Sequence, residues 1–209
     1  MARGTFGSAQ EKSKMSLDEQ KSALRKKIRA VSKILAPELC KLNSQKLCAS
    51  LSGQSFFQTA KSILFFAPMP GEPDIWPLLE ETLAAGKIVA KPRFDSIAKN
   101  YVASHVRNLR DEIVTGKFGI REPAAHCAEI PLQNLDLILV PGVAFDLQGR
   151  RLGRGKGYYD RLLEKFSGTK CGIAFDEQIV DEIPARAHDI KMDFILTPTR
   201  CAEIAKEEI

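Results

Sequence analysis

The chain has few of the residues that mark special classes of protein. It has one Trp, three His and five Cys in 209 residues. No Cys-x-x-Cys pair occurs, and no Cys/His group has zinc-finger spacing. Cys40, Cys48, Cys127, Cys171 and Cys201 are scattered and odd in number. That usage suits a reducing compartment rather than a disulfide framework, so the expected location is the cytoplasm. Long apolar runs are also missing. Ile63 to Ala67 and Leu137 to Val140 are among the longest, far short of the ~20 residues of a membrane span. Internal repeats, low-complexity tracts and an interdomain linker are absent too. Met1 to Lys14 has no apolar core or small-residue cleavage site of a secretory signal. Residues 1–15 read as a disordered extension, which leaves 16–209 as one domain.

What is present is ordinary in amount and uneven in distribution. Hydrophobic residues make up 44% and charged residues 27%, typical of a soluble globular chain. A chain of this length buries roughly 70% of its unfolded surface, enough to need no staple. The formal net charge is +5. Residues 1–33 hold nine Lys/Arg against three Asp/Glu, while the other 176 hold 22 against 23. The excess is therefore N-terminal. A phosphate-bearing small molecule, nucleic acid or a membrane surface are the partners such a surplus allows, and a solvated helix face is the alternative.

Ser16 to Glu19 reads as a capping box opening a helix. Leu24, Ile28, Val31 and Leu35 form an apolar stripe along it, and Lys21, Arg25 and Arg29 a separate basic stripe. A second helix is expected over 38–51. Ile63 to Ala67 reads as a buried strand, followed by the Pro/Gly-rich loop 68–74. Helix 75–85 and strand 88–90 come next. Residues 100–106 alternate as a strand, and 111–130 look loop-rich. Further expectations are a strand at 135–140, a helix at 157–166, a strand at 171–175, a short helix at 177–183 and a last strand at 192–196. This alternation predicts an α/β fold: a three-layer α/β/α, Rossmann-like single domain with a mainly parallel sheet. In such folds ligands sit beyond the carboxyl ends of the strands.

The densest chemistry lies between Asp146 and Arg161. Four glycines fall between Gly149 and Gly157, and five basic residues between Arg150 and Arg161. Glycines bring backbone N–H groups close to a ligand, and Arg and Lys supply charge and forked donors for phosphate oxygens. The following helix would add a positive dipole end. The pattern suits a polyphosphate. It is not a Walker A loop, since Arg150 stands where the first Gly belongs and Gly157 replaces the Ser/Thr. It is not Gly-x-Gly-x-x-Gly either, because the glycines run Gly153, Gly155, Gly157. A flexible basic surface loop is the alternative, and Tyr158, Tyr159 and Asp160 argue against it.

Leu-Gly-Arg-Gly-Lys-Gly-Tyr-Tyr-Asp (152–160), preceded by Val-Pro-Gly-Val-Ala-Phe-Asp (140–146), resembles the 5-formyltetrahydrofolate cyclo-ligase family. Lys21-Ser-Ala-Leu-Arg25, Gly71-Glu72, Gly119-Ile-Arg-Glu-Pro123 and His188-Asp-Ile-Lys-Met-Asp193 resemble further family segments in the same order. The resemblance spans about 17–197. It implies an ATP- and Mg²⁺-dependent ring closure of 5-formyltetrahydrofolate to 5,10-methenyltetrahydrofolate, with release of ADP and phosphate.

Against that chemistry, Lys21, Arg25, Arg151, Arg154 and Lys156 are candidate ATP ligands, with Gly153, Gly155, Gly157, Tyr158 and Tyr159. Arg154 and Lys156 are the candidate catalytic groups, because phosphoryl transfer is mostly positioning and charge neutralisation. Asp160 and Asp189 offer hard oxygens for Mg²⁺. Glu72 is the candidate partner for the pterin N–H edge, and Phe118 and Tyr159 for its flat face. The alternative is a solvated loop carboxylate for Glu72 and core packing for Phe118. Trp76 reads as helix packing, and His126 beside Cys127 does not by itself make a metal site. The expected partners are ATP and reduced folate, with no nucleic acid or membrane, and a monomer is expected. Two other readings compete: a non-catalytic folate- or nucleotide-binding relative on the same fold, and an RNA-binding protein using the basic helix, which no RNA-binding motif supports.

Overall fold

The computed structural model describes residues 15–32, 35–116, 119–186 and 189–205. The expectations for residues 1–14, Phe118 and His188 lie outside the described residues.

Helix α1 (Leu17–Ser32) opens as the sequence predicts. The Ser16 Oγ accepts the Glu19 N–H at 3.3 Å, and the Ser16 N–H returns to Glu19 Oε2 at 2.8 Å, which closes the capping box. Of the apolar stripe, Ile28 is buried and Leu24 partly so, but Val31 is exposed. Helices α2 (Pro37–Ser52) and α3 (Ser55–Thr59) follow. Then come β1 (Ser62–Leu64), α4 (Trp76–Ala84), β2 (Ile88–Asp95) and β3 (Asn100–Val106). The stretch read as loop-rich holds a hairpin, β4 (Ile113–Thr115) with β5 (Arg121–Pro123). The chain continues through β6 (Leu137–Pro141), β7 (Ala144–Asp146), β8 (Arg151–Leu152) and α5 (Tyr158–Leu163). It ends with β9 (Thr169–Ile173), β10 (Ile179–Val180), β11 (Phe194–Leu196) and β12 (Cys201–Glu203).

The main sheet has seven strands in the order β12-β11-β9-β6-β1-β2-β3. The five from β11 to β2 are parallel, and an antiparallel strand closes each edge. Numbered along the chain, the parallel strands run 2-1-3-4-5, the doubly wound order whose reversal lies between β1 and β6. Period-two burial divides the core. Ile63, Leu137, Leu139, Cys171 and Ile173 face α2, α3 and α4. Leu64, Ile138, Val140 and Ile195 face α5. These strands read as unbroken apolar runs because both faces are covered. A third cluster of Ile28, Val143, Ala144, Leu152 and Ile183 seats α1 against a small sheet, β10-β7-β8.

Two expectations are corrected. The helix foreseen at 177–183 is a single 3₁₀ turn, Asp176–Gln178, that runs into β10. The Gln178 side chain is the cause: its Oε1 accepts the Phe175 N–H at 2.8 Å while its Nε2 donates to the Gly142 carbonyl at 2.9 Å. The turn is thereby tied to the end of β6 and released into the small sheet. Strand β12 was not foreseen, since three residues at a sheet edge leave no periodicity to read.

Candidate active site

The loops after β1 and β6 flank the reversal point, and they carry the two unusual sequences. In the first, Gly71 sits at φ +84°. The Glu72 N–H donates to the Met69 carbonyl at 2.9 Å, and the Met69 N–H donates to Glu72 Oε2 at 2.9 Å. The carboxylate is thus fixed by its own turn. Its side chain is only 5% exposed, so the solvated-loop alternative is excluded.

The second loop is not a flexible linker. Residues 144–152 form a hairpin built on Asp146, which is fully buried. Asp146 Oδ1 accepts the Gln148 and Arg150 N–H groups at 3.1 and 3.0 Å. Its Oδ2 accepts Arg150 Nε at 2.6 Å and the Ile183 N–H at 2.8 Å. A buried carboxylate is tolerated when paired and hydrogen-bonded in this way. Arg150 is spent on this hub and on Glu182 at 3.1 Å. Beyond the hairpin, Gly155 and Gly157 take φ of +99° and +65°, which side-chain-bearing residues rarely adopt. They turn the chain so that Arg154 and Lys156 reach the space over the sheet before α5 begins.

That space is a cavity of about 420 Å³. Arg151, Gly153, Arg154, Lys156 and Gly157 line it from the glycine-rich loop, Tyr158, Tyr159 and Asp160 from the start of α5, and Glu72 from the other loop. Arg154 bridges the two loops, donating from Nη2 and Nε to Glu72 Oε1 at 2.6 and 3.1 Å. Arg151 is 6% exposed in its side chain. It donates to Asp160 Oδ1, reaches the Pro141 carbonyl at 3.3 Å and lies 5.8 Å from the Tyr159 ring. Tyr159 packs against both faces of the core. Burial, and then the Glu72 charge, push its hydroxyl far above the usual tyrosine range, so it remains a neutral donor at any ordinary pH.

Helix α1 meets the cavity from its edge. Arg25 Nε donates to the Gly153 carbonyl at 2.8 Å, and Arg29, the third residue of the basic stripe, lines the wall. Lys21 Nζ pairs with Asp189 Oδ2 at 2.8 Å, and the same oxygen accepts the Arg186 N–H at 3.0 Å. Lys21, Arg25, Gly155 and Asp189 therefore surround the loop without lining the cavity itself.

Tyr101 and Glu122 also line the cavity and were not among the candidate site residues. Glu122 is buried, with Oε2 accepting the Phe94 N–H at 3.0 Å and Oε1 near the Tyr101 hydroxyl at 3.4 Å. Tyr101 stands 5.0 Å from the Tyr158 ring at 81°, making an aromatic corner. Burial, then the charge of Glu122, raise the Tyr101 hydroxyl as well. Glu122 lies within the Gly-Ile-Arg-Glu-Pro motif, which was the available signal; Tyr101 had none beyond strand alternation. Trp76 is packing as expected, and it also holds Lys91 Nζ at 4.1 Å and the Arg121 guanidinium at 3.8 Å from its ring.

The chain as a whole resembles known proteins. A sequence model of the 5-formyltetrahydrofolate cyclo-ligase family matches residues 17–198. The chain is 31% identical over 180 residues to a 5-formyltetrahydrofolate cyclo-ligase of Escherichia coli, covering 84% of this chain and 99% of that one. It is 35% identical over 153 residues to one from Mycolicibacterium smegmatis, covering 68% and 76%. The solved structure of Aquifex aeolicus 5,10-methenyltetrahydrofolate synthetase superposes with a TM-score of 0.81 at 34% identity, covering 90% of this chain and 95% of that one. With a doubly wound sheet and a basic glycine-rich loop at its reversal point, the chain belongs to the 5-formyltetrahydrofolate cyclo-ligase family of enzymes.

Proposed function

We propose that the protein uses ATP to close 5-formyltetrahydrofolate into 5,10-methenyltetrahydrofolate, releasing ADP and phosphate. The observation that carries this reading is the Arg154–Glu72 bridge. It puts a guanidinium and a carboxylate side by side on one cavity, which supports a site where a phosphate-bearing substrate and a pterin meet.

In this reading the γ-phosphoryl group passes to the formyl oxygen, N10 attacks the activated carbon, and phosphate leaves with that oxygen. Lys156 and Arg154 bear the charge that develops on the transferring group, and the N–H groups of the glycine-rich loop orient the phosphates. Arg25 holds the loop through the Gly153 carbonyl. Glu72 accepts from the pterin edge, with the Tyr101–Tyr158 corner and Tyr159 as aromatic walls. The donor chemistry fits Mg²⁺ at Asp160, a 63% exposed carboxylate on the cavity wall. Mg²⁺ takes one or two carboxylates and fills its other positions with phosphate and water. Bound there, it would supply neutralising charge to the phosphates. Asp189 is then the orienting partner of Lys21. The five free thiols suit a reducing compartment such as the cytoplasm.

The test is absorbance in the methenyl product band, with purified protein, 5-formyltetrahydrofolate and Mg²⁺, with and without ATP. An ATP-dependent rise is expected. No rise in folded protein that binds ATP would overturn the reading in favour of a non-catalytic relative.

A further inference from the structure

Outside the cavity, three side chains with metal-binding atoms converge on the excursion between β3 and β6. They are Glu112, His126 and Cys127, whose ligand atoms lie within 4.8 Å of one another. Among the described residues this is the one group of its kind. His126 and Cys127 are adjacent in sequence and insufficient alone. The fold supplies the third donor from 14 residues upstream.

We propose that Glu112, His126 and Cys127 bind a borderline-soft divalent cation of the Zn²⁺ type and so staple the base of the β4–β5 hairpin. Thiolate, imidazole and carboxylate are the donors Zn²⁺ takes, and three protein ligands plus water is a common open coordination. Tetrahedral bonds of ~2.0–2.3 Å place ligand atoms about 3.5 Å apart. His126 is exposed, whereas Cys127 is buried with its thiol 3.7 Å from the Glu112 carbonyl, so the imidazole is the ligand with room to adjust.

The framework is already built. The Glu112 carbonyl accepts the Ala124 N–H at 2.8 Å, and the Cys127 N–H donates to the Ala124 carbonyl at 3.0 Å. These bonds fix the two ligand-bearing segments against each other. Glu112 Oε2 accepts the N–H groups of Arg107 and Asn108 at 2.6 and 3.2 Å. This is the outer-shell support that orients a ligating carboxylate. Burial disfavours the ionised Glu112, but those N–H groups, with the charges of Arg107 and His126, hold its carboxyl below the usual range. Burial, then Glu112, raise the Cys127 thiol, against the pull of Arg93 and Arg107. Coordination therefore forms the metal–sulfur bond as the thiol proton leaves to solvent. Glu112 directly precedes β4, and His126 lies three residues beyond β5. The cation would join the two legs of a hairpin whose Ile120 and Glu122 line the cavity.

The experiment is a Co²⁺ titration of the full chain without nucleotide, read in the thiolate-to-cobalt charge-transfer band, followed by Zn²⁺ displacement. One equivalent giving that band, bleached by Zn²⁺, is expected. Cys127→Ser should remove the band, whereas Cys201→Ser, at an exposed cysteine, should keep it. His126→Ala changes only an exposed side chain, so it should fold, and should weaken Co²⁺ by at least about tenfold. No charge-transfer band, a band that survives Cys127→Ser, or unchanged affinity in His126→Ala would overturn the proposal. The readout does not depend on catalysis, so it stands or falls apart from the ring-closing reaction.

Discussion

The loop after β6 and the excursion after β3 both end at the same cavity, yet they are built in opposite ways. The first carries its function locally. Its glycines, arginines and lysine lie within residues 149–157, and one buried carboxylate, Asp146, organises it through four donors. The second has only a short local signature, the Gly-Ile-Arg-Glu-Pro stretch 119–123. Glu122 reaches the cavity only because β4 and β5 pair, and its partners are Phe94 and Tyr101 on β2 and β3. A short dense segment states its chemistry in composition, whereas a site assembled from distant strands states it only in the fold.

Breaking the organiser of the first region should have the largest effect. Asp146→Ala leaves the Arg150 guanidinium and the Ile183 N–H without their buried acceptor. A loss of about 3–5 kcal/mol in stability is expected, read from urea unfolding. Next comes a change to the chemistry without the scaffold. Lys156→Ala alters an exposed loop residue. It should leave the unfolding midpoint within experimental error while lowering kcat by at least about a hundredfold. An active Lys156→Ala enzyme would remove that residue from the mechanism.

The second region predicts a smaller, pH-dependent effect. Lys91 is fully buried on β2, its Nζ donating to the Phe66 carbonyl at 2.9 Å. Burial, and then the Arg121 charge on β5, push its pKa down to about 7, against ~10.4 in an unfolded chain. Above pH 7 the unfolded state binds the extra proton, so stability rises with pH. Lys91 alone contributes a gain of about 1 kcal/mol between pH ~7 and ~8, partly offset as thiols of the unfolded chain begin to ionise, so the rise is read as the difference from the Lys91→Met variant. Lys91→Met should flatten that rise in urea titrations at the two pH values.

The same contrast explains what the sequence revealed. The parallel sheet was readable because strands such as 137–141 and 194–196, covered on both faces, keep apolar runs that turn signals bound. The phosphate-type loop was readable because Gly, Arg and Lys have few other reasons to alternate there. Glu72 lines the cavity, but its ion pair with Arg154 was not readable, since the two lie 82 residues apart and meet only at the strand reversal. The hairpin at 113–123 was hidden because its strands are three residues each. The turn at 176–178 resembled a helix because a side-chain amide, not local propensity, decides where it stops.

The central claim is that the two loops at the reversal act as one site through Arg154 and Glu72. A double-mutant cycle tests it directly, with kcat/KM for ATP-dependent ring closure measured in wild type, Glu72→Gln, Arg154→Ala and the double variant. Strong non-additivity is predicted, with the double variant no more than a few-fold worse than the poorer single one. Multiplicative losses would mean two independent sites and would contradict the account.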